Sequence, residues 1–330
     1  MKSLALAITL ASSLVVAQTT TEATTATTAA PVMNQTSTTV PSDIKEGDLK
    51  KIDQEITNNK MRAELGANKK YSFSAALGYS GGTVERPFSE VRPPIRSGLG
   101  ARSVPATLAG TISARYKMNT NNSFSLNSGV SVITPFHGKY ESNTMDNPVT
   151  TSNKKQIDRF TVAEPSLSYT YAGKLGELQS VSTVGATYYT SSSAVDDAGA
   201  VANLDFSQVV AGDFGPTTVG LVLGLSKDFY KSDLTEKQKD EEGLISLYMS
   251  PFAEYAFNDT FSFRTVFNYF AWDIAVRGEQ GQIIAPNPQQ SMGLGMAVTR
   301  DIYLYPNIQF MPFNARSDLT NVALSTTINL

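Results

Sequence analysis

The last stretch of the chain, Asn321-Val-Ala-Leu-Ser-Thr-Thr-Ile-Asn-Leu330, constrains the fold more than any other. Val322, Leu324, Thr326, Ile328 and Leu330 share one face of a strand; Asn321, Ala323, Ser325, Thr327 and Asn329 share the other, because β side chains alternate with period two. A strand with no turn after it presents a row of unpaired N–H and C=O groups. In hydrocarbon, where no water reaches those groups, such an edge is excluded unless the sheet closes. Tyr71-Ser-Phe-Ser-Ala-Ala-Leu-Gly-Tyr79 alternates in the same way and is the natural partner. The expectation is therefore an all-β fold, a closed antiparallel transmembrane β-barrel over residues 69–330.

Twelve candidate strands fill that span, and their connections sort by parity. The odd-numbered connections are 81–103, 137–158, 191–200, 230–243, 275–290 and 314–320; all are long or intermediate. The even-numbered ones, Asn119 to Asn122, Gly173 to Glu177, Gly215-Pro216, Asn258-Asp259 and Arg300-Asp301, are turns. Membrane barrels have short turns on the periplasmic side and long loops outside, so strict alternation is expected of them; a soluble sandwich has no reason to sort its loops. Tyr116, Phe124, Tyr171, Phe214, Phe257, Phe261 and Phe263 fall near the turns, and Tyr79, Phe136, Phe229, Trp272 and Phe313 near the loops, as two interfacial girdles would. Three prolines resist the pattern. Pro165, Pro251 and Pro306 fall inside predicted strands, where each removes a ladder donor, and the fourth and fifth strands alternate poorly.

The N-terminus carries a different signal. Lys2, an apolar run from Leu4 to Val16, and Val15-Val16-Ala17 read as a secretory signal peptide over residues 1–17. Residues 18–42 are rich in Thr and Ala with almost nothing large to bury, which predicts a disordered linker. Residues 43–68 hold one helical stripe, Leu49, Ile52 and Ile56, with Met61 and Leu65 beyond it and Gly66 as a stop. Two readings stand: a short solvated periplasmic helix, or a plug folded back into the pore.

Composition excludes several classes. A net charge of −3 and no basic domain argue against nucleic acid. No cysteine means no disulfide, thiolate chemistry or lipidated cysteine. One histidine, His137, leaves no basis for a metal centre, and no cofactor is implied. No later run reaches the ~18 apolar residues of a transmembrane helix.

On the strand alternation Arg115, Lys117, Glu164, Asp205, Asp213, Glu254 and Arg264 point inward and are the pore-lining candidates. The first long loop carries Arg86, Arg92, Arg96 and Arg102, candidates for a basic constriction or for contact with anionic lipopolysaccharide. Export signal, alternating strands and a closing C-terminal strand together resemble Gram-negative outer-membrane β-barrel proteins of the porin-like class. Leu330 stands where members usually end in an aromatic residue. The resemblance implies an outer-membrane location, assembly by the barrel assembly machinery, and contact with outer-membrane lipid. Barrels of this strand number include an outer-membrane phospholipase with histidine and serine two residues apart; here Gly138-Lys139-Tyr140-Glu141-Ser142-Asn143 follow His137, so the spacing fails. The expected function is passive diffusion of small hydrophilic solutes. The alternative is a non-conducting barrel whose long loops bind a partner. Oligomeric state is left open.

Overall fold

The computed structural model describes residues 46–92, 104–137, 141–143, 154–156, 159–235, 243–268, 270–276, 279–280 and 289–330. The expected signal peptide and linker lie outside them, as do Arg96 and Arg102. Twelve strands form the wall: β1 Tyr71–Thr83, β2 Thr107–Lys117, β3 Asn122–Ile133, β4 Phe160–Leu175, β5 Leu178–Tyr188 and β6 Ala200–Phe214, followed by β7 Thr217–Tyr230, β8 Gly243–Ala256, β9 Phe261–Asn268 continuing as Phe270–Val276, β10 Gln289–Thr299, β11 Ile302–Phe310 and β12 Asn321–Asn329. Every strand pairs antiparallel with its neighbours in sequence. The sheet closes between β1 and β12 in the register Ser74↔Asn329 to Ser80↔Ala323, and Phe73 and Leu330 exchange both backbone hydrogen bonds at 3.2 and 2.8 Å. The edge that the terminal strand would otherwise present is thus paired. The expected turns and loops alternate around the barrel, differing from the sequence reading by a few residues at their ends.

The wall is inverted relative to a soluble protein. Leu126, Leu167, Val184, Phe206 and Leu225 stand exposed on the outer face, while Ser123, Ser125, Asn203, Ser226 and Ser291 are buried on the inner one. This is the transmembrane β-barrel arrangement, apolar outside and polar within. Tyr71, Phe73, Tyr116, Phe124, Tyr171, Phe214, Tyr255, Phe257 and Phe261 are exposed around the turn end. At the loop end Phe136, Phe160, Tyr188, Phe229 and Phe313 are exposed, whereas Tyr79 is covered, its hydroxyl donating to Pro87 O at 2.9 Å and its ring meeting Phe136 edge-on. The Trp272 side chain lies outside the described ones.

Each awkward proline sits where the ladder has no use for its missing donor. Glu164 and Pro165 together oppose Ser128, since the register passes from Gly129↔Ala163 to Asn127↔Ser166. That bulge, with Glu164 at φ 54°, inserts one residue and reverses the alternation of β4. Phe160 and Val162 face outward before it and Leu167 and Tyr171 after it, which is why this strand reads poorly as a single pattern. Pro251 faces the break in β9: Phe252 pairs with Val266 but Met249 with Phe270, so β9 carries one extra residue there. At Pro306 the pairing of β11 with β10 lapses between Gly293↔Asn307 and Met296↔Leu304 without changing register.

Two helices precede the barrel, α1 Glu46–Glu55 and α2 Asn59–Glu64. The single stripe expected over 43–66 is broken because the N–H groups of Thr57 and Asn58 both donate to Gln179 Oε1 on β5, at 2.8 and 2.9 Å, in place of helix carbonyls. Asn58 then caps α2, its side chain accepting from Met61 N at 3.1 Å. Gly66, at φ 78°, ends it.

Candidate functional site

The helices lie inside the turn end of the barrel. Ile52, Ile56, Met61 and Leu65 pack on Ala172, Val181, Ala211, Phe252 and Val266, which face inward from β4, β5, β6, β8 and β9. Ile56 is 0 % exposed. Burying each of these large side chains contributes roughly 1.5–3 kcal/mol, so the stripe holds the segment against the wall and not in solvent.

Polar contacts form a ring around that apolar centre. From β6, Asp213 Oδ2 accepts from Thr57 Oγ1 at 2.5 Å and from Gln179 Nε2 at 2.8 Å. From β8, Glu254 Oε2 accepts from Asn58 Nδ2 at 3.0 Å and Arg264 Nη1 at 2.7 Å, while Oε1 accepts from Ser262 Oγ at 2.5 Å. Glu254 and Arg264 face each other across β8 and β9, and the guanidinium stacks 4.3 Å above the Phe252 ring. From β2, Arg115 Nη1 donates to Glu64 O at 2.9 Å and Lys117 Nζ to Asn68 Oδ1 at 3.3 Å. Asn329 of β12 donates to Ala63 O at 2.7 Å.

The most connected contact comes from the turn after β10. Arg300 donates to Asp53 through Nε and Nη2, the shortest bond being 2.8 Å, and through Nη1 to Gly66 O at 2.7 Å and Asp301 Oδ1 at 2.8 Å. Burial alone would raise the Asp53 pKa, but the Arg300 hydrogen bonds and charge outweigh it and hold the carboxyl below its ordinary value of 3.8. Burial acts first on Arg300 too, and Asp53 and Asp301 more than offset it, raising its pKa.

Above the helices the inner wall changes character. Val209 and Val222 still pack on the apolar cluster. Beyond them the wall is hydroxyl and amide: Asn127 Nδ2 donates to Ser168 Oγ at 3.0 Å, Ser250 Oγ to Asn268 Oδ1 at 2.9 Å, and Gln289 Nε2 to Gln309 Oε1 at 3.2 Å. Asp228 accepts from Asn203 and from the Tyr189 hydroxyl, both at 2.8 Å. Burial, with the Asp228 carboxylate, pushes the Tyr189 pKa far up. Asp205 has no hydrogen-bond or ion-pair partner among the described residues, and its carboxylate lies over Gly185, where a Cβ would come within 2.3 Å of Oδ1.

The residues singled out in the sequence therefore separate. Arg115, Lys117, Asp213, Glu254 and Arg264 meet at the turn end and bond the helical segment or each other, and Asp205 stands apart toward the loop end. Glu164 faces neither: at its bulge it turns along the rim, accepting from Thr190 N at 3.0 Å and Ser191 N at 3.3 Å. Arg86 is exposed at the loop end, and Arg92 pairs through its backbone with Val104. His137 hydrogen-bonds Phe88 O and lies 3.7 Å from Glu90 at the same end. Sequence reasoning passed over Asp53, Asn58, Gln179 and Arg300. Arg300 did carry a signal, since a charged residue in a tight turn sits at the rim of whatever fills that end.

No family model and no curated protein matches the chain. Among solved structures it is similar to an outer membrane channel from Pseudomonas putida F1 at 11% identity and TM-score 0.47, covering 81% of this chain and 98% of that one. It is also similar to OmpF of Salmonella typhi in complex with daunomycin, at 8% identity and TM-score 0.36 over 81% and 99% of the two chains. The porin NanC matches at 10% identity and TM-score 0.39, over 77% and 97%.

Proposed function

We propose that this barrel lies in a bacterial outer membrane and is a channel for passive diffusion of small hydrophilic solutes, with residues 46–70 plugging its periplasmic end. The observation that carries the reading is the inner wall. Above the helices it is lined by hydroxyls and amides, which suit a hydrated lumen, while the outside is apolar. The turn end, where the helices dock, is the periplasmic one by the loop-length rule.

Single-channel recording of detergent-folded protein in a planar bilayer tests this, with and without residues 18–66. Discrete steps establish a pore, and larger steps in the shortened form make the helices a plug. A second reading draws on the completeness of the docking. With Ile56 fully buried and Arg264 and Glu254 paired at 2.7 Å inside the wall, the turn end is filled as a protein core is. That favours a non-conducting barrel acting through its loops, and silence from both forms, in protein confirmed as folded, would select it.

A further inference from the structure

The charges first read as lumen lining are mostly engaged at the turn end, and above them the described inward residues are mainly hydroxyls and amides. We infer that the lumen admits uncharged, hydroxyl-rich solutes, small saccharides by chemical class, and that among ions it favours cations through Asp205. This deepens the channel reading and rests on it.

The first part follows from the lining. Asn127, Ser168, Thr183, Ser207, Ser291 and Gln309 occupy inward positions in the paired registers of β3 to β6 and β10 to β11. Hydroxyl and amide groups both donate and accept, so a solute hydroxyl can exchange water for wall at each step. An ion passing the same wall finds few full charges to replace its hydration, and desolvating it costs far more than desolvating a neutral hydroxyl. Tyr248 adds an apolar face. Its ring lies across Gly224, where a Cβ would come within 1.8 Å of Cζ, one inward rung toward the turns from Asp205. A ring held flat on the wall can meet the C–H side of a sugar while its hydroxyls stay on Ser and Asn.

The second part follows from which charges are satisfied. Arg264 is bound to Glu254 at 2.7 Å and Arg300 to Asp53 and Asp301 at 2.8 Å each; Arg115 and Lys117 are bonded to the helical segment. Asp228 is held by Asn203 and Tyr189. Asp205 is left as the loop-side carboxylate with no such partner among the described residues, and Gly185, having no side chain, leaves room for it against the wall. Asp228 keeps its negative charge under those neutral donors, but Asp205 has no donor beside it, so a passing ion meets its carboxylate directly; in a low-dielectric passage such a charge attracts cations and repels anions. It has no effect of either sign on a neutral sugar.

The test uses the full-length protein in liposomes: swelling in isosmotic arabinose, and the reversal potential under a potassium chloride gradient, for wild type, Asp205→Asn, Asp205→Lys and Tyr248→Ala. Expected are equal swelling in wild type and both Asp205 variants, which also shows that they fold, and a cation-selective potential in wild type. That potential falls toward zero in Asp205→Asn and reverses in Asp205→Lys. Tyr248→Ala slows sugar entry and leaves the potential in place. An anion-selective wild type, or an unchanged potential in Asp205→Lys beside intact sugar flux, overturns the inference and leaves the channel standing. No swelling and no current in wild type removes the channel reading and this inference with it.

Discussion

Replacing Arg300 with alanine should release the helical segment from the turn end. The guanidinium makes a two-pronged bond to Asp53, with Nη2 to Oδ1 at 2.8 Å, and a further bond to Gly66 O at 2.7 Å, so it clasps both α1 and the residue that ends α2. Its side chain is 21% exposed and that of Asp53 25%. Bonds to charged groups contribute about 1.5–3 kcal/mol each when buried. Removing one partner of a buried pair costs about 3–5 kcal/mol, since the other charge is stranded. With a fifth to a quarter of each side chain still in water, Asp53 retaining Asn68 at 3.1 Å, and the apolar stripe intact, a lower figure applies. We expect a docking loss of about 2–3 kcal/mol, which multiplies the undocked population roughly 30- to 140-fold. Protease cleavage within residues 46–70 of folded protein in detergent reads that population directly, with barrel integrity followed by heat-modifiable gel migration. Asp53→Ala with Arg300→Ala should then be less than additive, because both remove the same bonds. Cleavage at the wild-type rate in Arg300→Ala, or strict additivity of the pair, would refute the assignment of Arg300 as a clasp.

Three further outcomes follow from the same geometry. Because the Asp53 pKa is lowered on docking, its contribution is fully present above its ordinary value of 3.8 and is lost as pH falls through the lower folded value; cleavage of the segment should be flat from neutrality to about 3.8, rise as pH falls from there, and level off below the folded value. Ile56→Ala, at a 0 % exposed site, should cost about 2–5 kcal/mol, read as faster amide exchange in α2 with the strands unaffected. Leu126→Arg on the outer face, where the leucine is 63% exposed, should cost about 2–4 kcal/mol in urea-dependent refolding, while the same residue at inward Thr111 costs far less; equal costs would undo the assigned inside and outside.

Much of this molecule was decided locally. A strand's side chains alternate whatever surrounds it, so Asn321 to Leu330 and Tyr71 to Tyr79 announced both their faces and their need for each other, and loop lengths announced which ends lie together. Closure followed, because an open edge has nowhere to place its backbone groups in hydrocarbon. The phase of β4 did not, because a bulge is a relation between two strands: Glu164 and Pro165 are surplus only once Ser128 lies opposite them. The same holds for the lumen. Alternation placed Arg115, Asp213, Glu254 and Arg264 on the inner face, but their partners, Glu64 O, Thr57, Asn58 and each other, come from up to 196 residues away. Whether an inward charge faces water or a docked helix depends on what enters the barrel, and periodicity within a strand carries no information about that. Ile52 and Ile56 showed that α1 had an apolar face; only the assembled wall, with Val181, Ala211 and Phe252 converging from separate strands, showed where that face is buried.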